Sequence, residues 1–170
     1  MLVFIKLGGS LITDKRIESS FRKSVVVRLA QEIRAALNIQ PTLKTPIDHG
    51  SGSFSHIAAS RYRTVEGVRS QDEWHAFAHV ATVAAELNYL VAKVFDAEGL
   101  PVWRIQPSAS ALCRDAELQQ LLISPIQAAL NHDLVPLVYG DVALDEIRGG
   151  TIISTERIFF YLAHHLPVDR

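Results

Sequence analysis

The sequence predicts an α/β protein with a mainly parallel sheet, and two observations carry that expectation. Short apolar runs with strand character alternate with longer stretches of helical periodicity, the pattern in which helices connect parallel strands. The apolar runs at 2–7 and 134–139 end directly in glycine, at Gly8-Gly9 and Gly140. In open α/β sheets the carboxyl ends of strands are where ligands bind. With 170 residues, 48% of them hydrophobic and 21% charged, the chain suits one globular domain spanning 1–170 with a substantial core.

Element by element, Leu2 to Leu7 reads as a fully buried strand. Ser24 to Leu37 carries Val26, Leu29, Ala30, Ile33 and Leu37 at helical spacing, with Arg28, Glu32 and Arg34 turned outward. A second strand falls in Leu43 to Asp48, although Pro46 and Asp48 are poor strand residues. The longest helix starts at Ser70, which forms an S-x-x-E capping box with Glu73. Trp74, Phe77, Ala78, Ala81, Ala85, Asn88, Val91 and Phe95 follow one face of it, and Gly99 marks its end. Pro101 to Gln106 is a third strand. Pro125 suits the first turn of a short helix reaching Leu130. Leu134 to Tyr139 is a fourth strand, and Val142 to Ile153 a hairpin with Arg148-Gly149-Gly150 in its turn. A closing helix begins near Thr155.

Charge and composition narrow the function classes. A formal net charge of −1 provides no electrostatic footprint for nucleic acid or an anionic membrane. The single cysteine, Cys113, excludes an internal disulfide and fits a reducing compartment. No apolar run reaches membrane-spanning length, and the N-terminal stretch lacks a basic region before it. The expected setting is the cytoplasm.

The chemistry concentrates at strand ends. Lys6-Leu7-Gly8-Gly9-Ser10 combines a lysine with a Gly-Gly turn whose amides can face an anion. Plain loop chemistry is the alternative reading. The second glycine-rich element, His49-Gly50-Ser51-Gly52-Ser53-Phe54-Ser55-His56, also stands between a strand and a helix. It reads as a phosphate loop or as a flexible Gly/Ser turn. Of the seven histidines, His56 is the best ligand candidate, because it follows this loop directly, whereas His49 braces the strand end. Lys15 could converge with Lys6 on a transferring phosphoryl group, though by spacing alone it is a solvated loop residue. Asp141 could hold the lysines or bind Mg²⁺ through water, or be a turn aspartate. Ser154-Thr155 is first an N-cap and second a phosphate donor. No cluster of residues suggests a protein-held metal site.

Taken in order, KLGGSLITDK at 6–15, HGSGSFSH at 49–56, IQPS at 105–108 and YGD…GGTIIST at 139–155 resemble the amino-acid kinase superfamily. Within it they resemble the isopentenyl phosphate kinases most closely, and the similar fosfomycin kinases next. The resemblance implies an αβα sandwich and transfer of the γ-phosphoryl of Mg·ATP to isopentenyl phosphate. By position, Lys6, Leu7, Gly8, Gly9 and Ser10 would contact ATP phosphates, with Gly52 also on the ATP side. Lys15 would stabilise the transferring phosphoryl. Gly50, Ser51 and His56 would hold the acceptor phosphate, Thr155 would lie at the substrate site, and Asp141 would organise the lysines. The helix carrying Trp74, Phe77, Ala78 and Ala81 would supply an apolar pocket for the acceptor's hydrocarbon tail, a stripe equally explained as core. A homodimer is implied as well.

This chain departs from the family pattern at Ser51, Ser55 and Thr155, where glycine is frequent, and at Pro46 and Asp48. The family also continues past the point matching Arg170 into a half that holds adenine and ribose. The chain is therefore expected to be the N-terminal, acceptor-binding half of such a protein. A kinase with another small acceptor, fosfomycin among them, and a non-catalytic phosphate-binding or partner-dependent domain are the alternatives.

Overall fold

The structure, a computed structural model, describes residues 1–14, 16–54 and 64–169. In chain order the elements are β1 (Ile5–Leu7), α1 (Gly9–Ile12), α2 (Lys23–Ile39), β2 (Ile47–His49), α3 (Gln71–Ala97), β3 (Val102–Arg104), β4 (Leu112–Arg114), β5 (Glu117–Gln120), α4 (Ser124–Asn131), β6 (Val135–Tyr139), β7 (Asp141–Asp145), β8 (Gly149–Ile153) and α5 (Thr155–His165). Two four-stranded sheets result. One is parallel throughout, in the order β1-β2-β6-β3, and the other is mixed, in the order β5-β4-β7-β8. They meet where β6 passes through Gly140 into β7.

Strand alternation builds the layers. On one face of the parallel sheet, Ile47 and Leu137 pack with Val26, Ala30 and Ile33 of α2 and with Leu87, Val91 and Phe95 of α3. On the other, Val138 packs with Ile126 of α4 and with Ile158 and Leu162 of α5. All five residues of β6 are buried, as a central strand covered on both faces requires. The Ser70 capping box forms as the sequence predicts: the Glu73 amide donates to Ser70 Oγ (3.3 Å) and the Ser70 amide to Glu73 Oε2 (2.8 Å).

Several elements differ from expectation for identifiable reasons. The first strand is shorter than Leu2–Leu7 and only partly buried, because β1 lies at the edge of its sheet and Lys6 faces solvent. Before it, Leu2 makes only an isolated bridge to Lys44. The second strand spans Ile47–His49, and Pro46 enters the pairing only as an acceptor, from the Ile5 amide (3.1 Å). The buried face of α3 runs through Ala76, Val80, Ala84, Leu87 and Val91; Trp74 and Ala78 are exposed.

The β7–β8 turn uses residues 146–148, so Gly149 and Gly150 open β8 rather than forming the turn. Both glycines are needed for packing, since a Cβ on Gly149 would fall 2.2 Å from Val68 O and one on Gly150 2.8 Å from the Phe77 ring. The β4–β5 hairpin is absent from the sequence reading because its turn lacks glycine or asparagine. Asp115 and Ala116 both adopt positive φ (50° and 64°), and their amides donate to the buried Asp145 carboxylate at 3.1 and 2.7 Å. The same carboxylate accepts from Ile147 and Arg148 (2.9 Å each), so one side chain closes two turns.

Phe95 is fully buried between α3 and the parallel sheet. Phe95→Ala should lower unfolding stability by about 3–5 kcal/mol, read from urea midpoints at constant m-value.

Candidate functional site

The carboxyl ends of β1 and β2 bring both glycine turns to one place. Parallel pairing sets Leu7 beside His49, so the chains that leave the two strands start as neighbours. The Gly50 amide donates to Leu7 O (3.0 Å). A Cβ on Gly9 would lie 2.6 Å from Gly52 N, and one on Gly50 2.9 Å from Gly9 N, so the backbones touch where side chains would otherwise stand. Thr13 ties the turns together: its Oγ1 donates to Gly9 O (2.7 Å) and accepts from the Ser53 amide (3.0 Å). Gly52 has φ +52° and faces that same hydroxyl.

The two turns form one wall of a cleft of about 520 Å³, lined by Lys6, Gly8, Gly9, Ser10, Gly50, Ser51 and Gly52. Gly140, Ile152, Ile153, Ser154, Thr155 and Glu156 form the other. A Cβ on Gly8 would meet nothing within 4 Å, so this turn faces open space. Ser154 caps α5 by accepting from the Arg157 amide (3.3 Å).

Lys6 Nζ donates to Glu156 Oε1 at 2.5 Å across the cleft. That bond, before any other cause, holds the Glu156 carboxyl at about 2. The Thr155 hydroxyl donates to Glu156 Oε2 (3.1 Å), which sets the carboxylate's orientation. Asp48 is the register partner of Lys6 on β2 and is buried on the α5 side of the sheet. Neither of its oxygens has a hydrogen-bond partner among the described residues, and burial pushes its carboxyl well above the usual range. Lys6 thus pairs with an ionised glutamate and lies in strand register with a buried aspartate, unpaired among the described residues.

On the opposite face, next to Asp48, His49 is fully buried against α3. Its Nδ1 lies 3.2 Å from Gly50 O, and its Nε2 lies 3.1 Å from Asn88 Nδ2. Arg104 Nε donates to Asn88 Oδ1 (2.7 Å), and the Tyr139 ring stacks on the imidazole at 5.8 Å. Burial lowers the His49 pKa to about 4, so the ring is neutral at physiological pH.

Of the residues singled out in the sequence, Lys6, Gly8, Gly9, Ser10, Gly50, Ser51, Gly52 and Thr155 come together in the cleft. Leu7 belongs to the core and contributes only its carbonyl. Lys15 and His56 lie outside the described residues. Asp141 does not meet Lys6. Its buried carboxylate accepts from the Ser108 amide (3.1 Å) and from its own neighbour Val142 (2.8 Å), bracing the β6–β7 junction. The acid that engages Lys6 is Glu156, which sequence reasoning passed over because an acid in a helix's first turn is ordinary dipole chemistry. The apolar stripe reaches the cleft only in part. Phe77 and Ala81 pack with Val80, Val142 and Ile152, of which Ile152 lines the cleft.

Two outcomes follow from this geometry. Gly52→Ala should cost about 2 kcal/mol or more in urea unfolding, because the positive φ at this position disfavours a Cβ, which would also meet Thr13 Oγ1 at 2.2 Å. Glu156 should titrate near 2 by NMR and move up toward the ordinary glutamate range in Lys6→Met, with the Thr155 bond retaining part of the depression. The contribution of this ion pair to stability is accordingly complete above the ordinary glutamate pKa and is lost as pH falls through about 2.

The amino acid kinase family model matches residues 1–170. The isopentenyl phosphate kinase of Methanocaldococcus jannaschii is 30% identical over 99% of this chain and 66% of its own length. That of Methanothermobacter thermautotrophicus is 32% identical over 99% of this chain and 65% of its own. A crystal structure of an isopentenyl phosphate kinase superposes with a TM-score of 0.91 at 31% identity, covering all of this chain and 70% of that one. The chain spans about two thirds of the length of the curated relatives it matches. With a family match along its whole length and a parallel sheet carrying two apposed glycine turns, the chain belongs to the amino acid kinase family.

Proposed function

We propose that this chain takes part in ATP-dependent phosphoryl transfer to isopentenyl phosphate, giving isopentenyl diphosphate and ADP. One observation carries the reading: two glycine turns and a lysine converge on a single cleft at the carboxyl end of a parallel sheet. The named relatives support the choice of acceptor.

The acceptor's phosphate oxygen is already anionic, so it needs no general base. It attacks the γ-phosphorus as the bond to the β–γ bridging oxygen breaks, and that oxygen leaves on ADP. The protein's task is to bring two anions together and to hold positive groups where charge spreads in the transition state. Lys6, pre-positioned by Glu156, provides one such group at the cleft wall. Lys15 is the proposed second, on the transferring phosphoryl, and Ser51 and His56 are proposed to hold the acceptor phosphate.

The glycine cradle leaves room for phosphate oxygens, because a Cβ at Gly9, Gly50 or Gly52 would displace its wall and Gly8 faces open space. Mg²⁺ would supply charge neutralisation on the nucleotide phosphates. No group of three His, Cys, Asp or Glu among the described residues is arranged to hold a metal, so the ion would enter with the nucleotide. Glu156 is the carboxylate lining the cleft. The expected setting is cytoplasmic. It agrees with a buried, unpaired Cys113 and with the absence, among the described residues, of a helix long and apolar enough to cross a membrane. A homodimer rests on the resemblance alone.

The test is ADP release by the purified chain with Mg·ATP and either isopentenyl phosphate or fosfomycin. Release with isopentenyl phosphate is expected; release with fosfomycin alone would overturn the acceptor assignment. In the active protein, Lys6→Met should lower kcat by about 10²-fold or more, with Glu156→Gln giving a smaller loss through a less fixed lysine.

A further inference from the structure

We propose that His49 is a positioning residue for the phosphate loop, held in one tautomer by Asn88 and Arg104, and that it aims the Ser51 amide into the cleft. The inference rests on the phosphate-binding reading of that cleft.

The chain of bonds is determined from both ends. The guanidinium of Arg104 can only donate, so the Asn88 atom it meets at 2.7 Å is the carbonyl oxygen. That orientation turns the Asn88 NH₂ toward His49 Nε2, 3.1 Å away, which must then accept. The proton of the neutral ring therefore sits on Nδ1. There it meets Gly50 O, an atom that can only accept, at 3.2 Å. Every link has a donor facing an acceptor, and the opposite tautomer would set a donor against the Asn88 NH₂ and leave the Gly50 carbonyl unpaired. Tyr139 stacked on the imidazole holds the ring plane.

The consequence lies in the next peptide unit. In a trans peptide the carbonyl and the following amide point in opposite directions. No described peptide bond is cis. Drawing the Gly50 carbonyl toward the buried imidazole thus turns the Ser51 N–H the other way, and Ser51 lines the cleft. That amide has no acceptor among the described residues, whereas the neighbouring Gly50 and Ser53 amides bond to Leu7 O and Thr13 Oγ1. A relay running from the exposed Arg104 of β3 through the buried Asn88 of α3 to the buried His49 of β2 in this way pre-organises one unpartnered donor for an incoming anion.

The experiment uses the ¹⁵N-labelled chain and inorganic phosphate as the probe. In the wild type the Ser51 amide resonance should move on phosphate addition. His49→Asn, whose Nδ2 takes the place of Nδ1, should keep phosphate affinity within about threefold. His49→Leu should weaken it about tenfold or more and abolish the Ser51 response. A Ser51 amide that stays still in the wild type, or His49→Leu binding phosphate as the wild type does, would overturn the proposal. Should His49→Leu fail to fold, the ring of the wild-type protein decides. An Nδ1-protonated His49 by ¹⁵N shifts at neutral pH is the expected result, and an Nε2-protonated ring overturns it. Isopentenyl phosphate is titrated in parallel. If it binds no tighter than inorganic phosphate, the acceptor assignment fails while the relay stands on the phosphate data.

Discussion

Everything at the cleft depends on two backbones touching. Gly9 and Gly52 approach so closely that a single methyl group on either would displace its neighbour. The approach is possible because β1 and β2 are adjacent parallel strands ending in register, and Thr13 and the Gly50 amide then lock it. Packing the glycine turns against each other brings two sets of amides to one concave surface. Neither turn alone would enclose an anion.

Strand alternation distributes the remaining roles. Neighbouring residues of β2 point to opposite faces, so Asp48 goes toward α5 and His49 toward α3. On the α5 face, Lys6 receives an ionised partner in Glu156, while Asp48, its register neighbour, stays buried and unpaired among the described residues. On the α3 face, among the described residues, His49 bonds to the neutral Asn88 amide and the Gly50 carbonyl, and Arg104 donates to Asn88 from beyond. One side of the strand thus manages charge and the other manages geometry. Burial enforces the division, because a buried imidazole between Asn88 and a carbonyl stays neutral.

The mixed sheet provides the opposite wall. Its β7–β8 hairpin delivers Ile152 and Ile153 to the cleft and leads directly into α5, whose first turn carries Thr155 and Glu156. Asp145 supports this wall from a distance by closing both the β4–β5 and the β7–β8 turns. Asp141 does related work at the β6–β7 junction, where it holds the Ser108 loop. Asp141, singled out in the sequence, thus braces a strand junction here, while the acid facing Lys6 is Glu156, which the sequence does not advertise.

The sequence by itself determined the alternation of strands and helices, the capping box at Ser70, the helix start at Ser154 and the location of both glycine turns. These are local properties, set by periodicity, capping chemistry and backbone freedom. The tertiary structure alone decided which acid meets Lys6, because Glu156 lies 150 residues away and reaches it only after α5 docks on the sheet. It also decided that β1 is an edge strand, and that Asp115 and Ala116 turn a hairpin without glycine, since a distant carboxylate satisfies their amides. His49 shows the boundary between the two. Its place at the end of a strand was legible as bracing, but its tautomer is set by Asn88 and Arg104, and only packing brings those partners together.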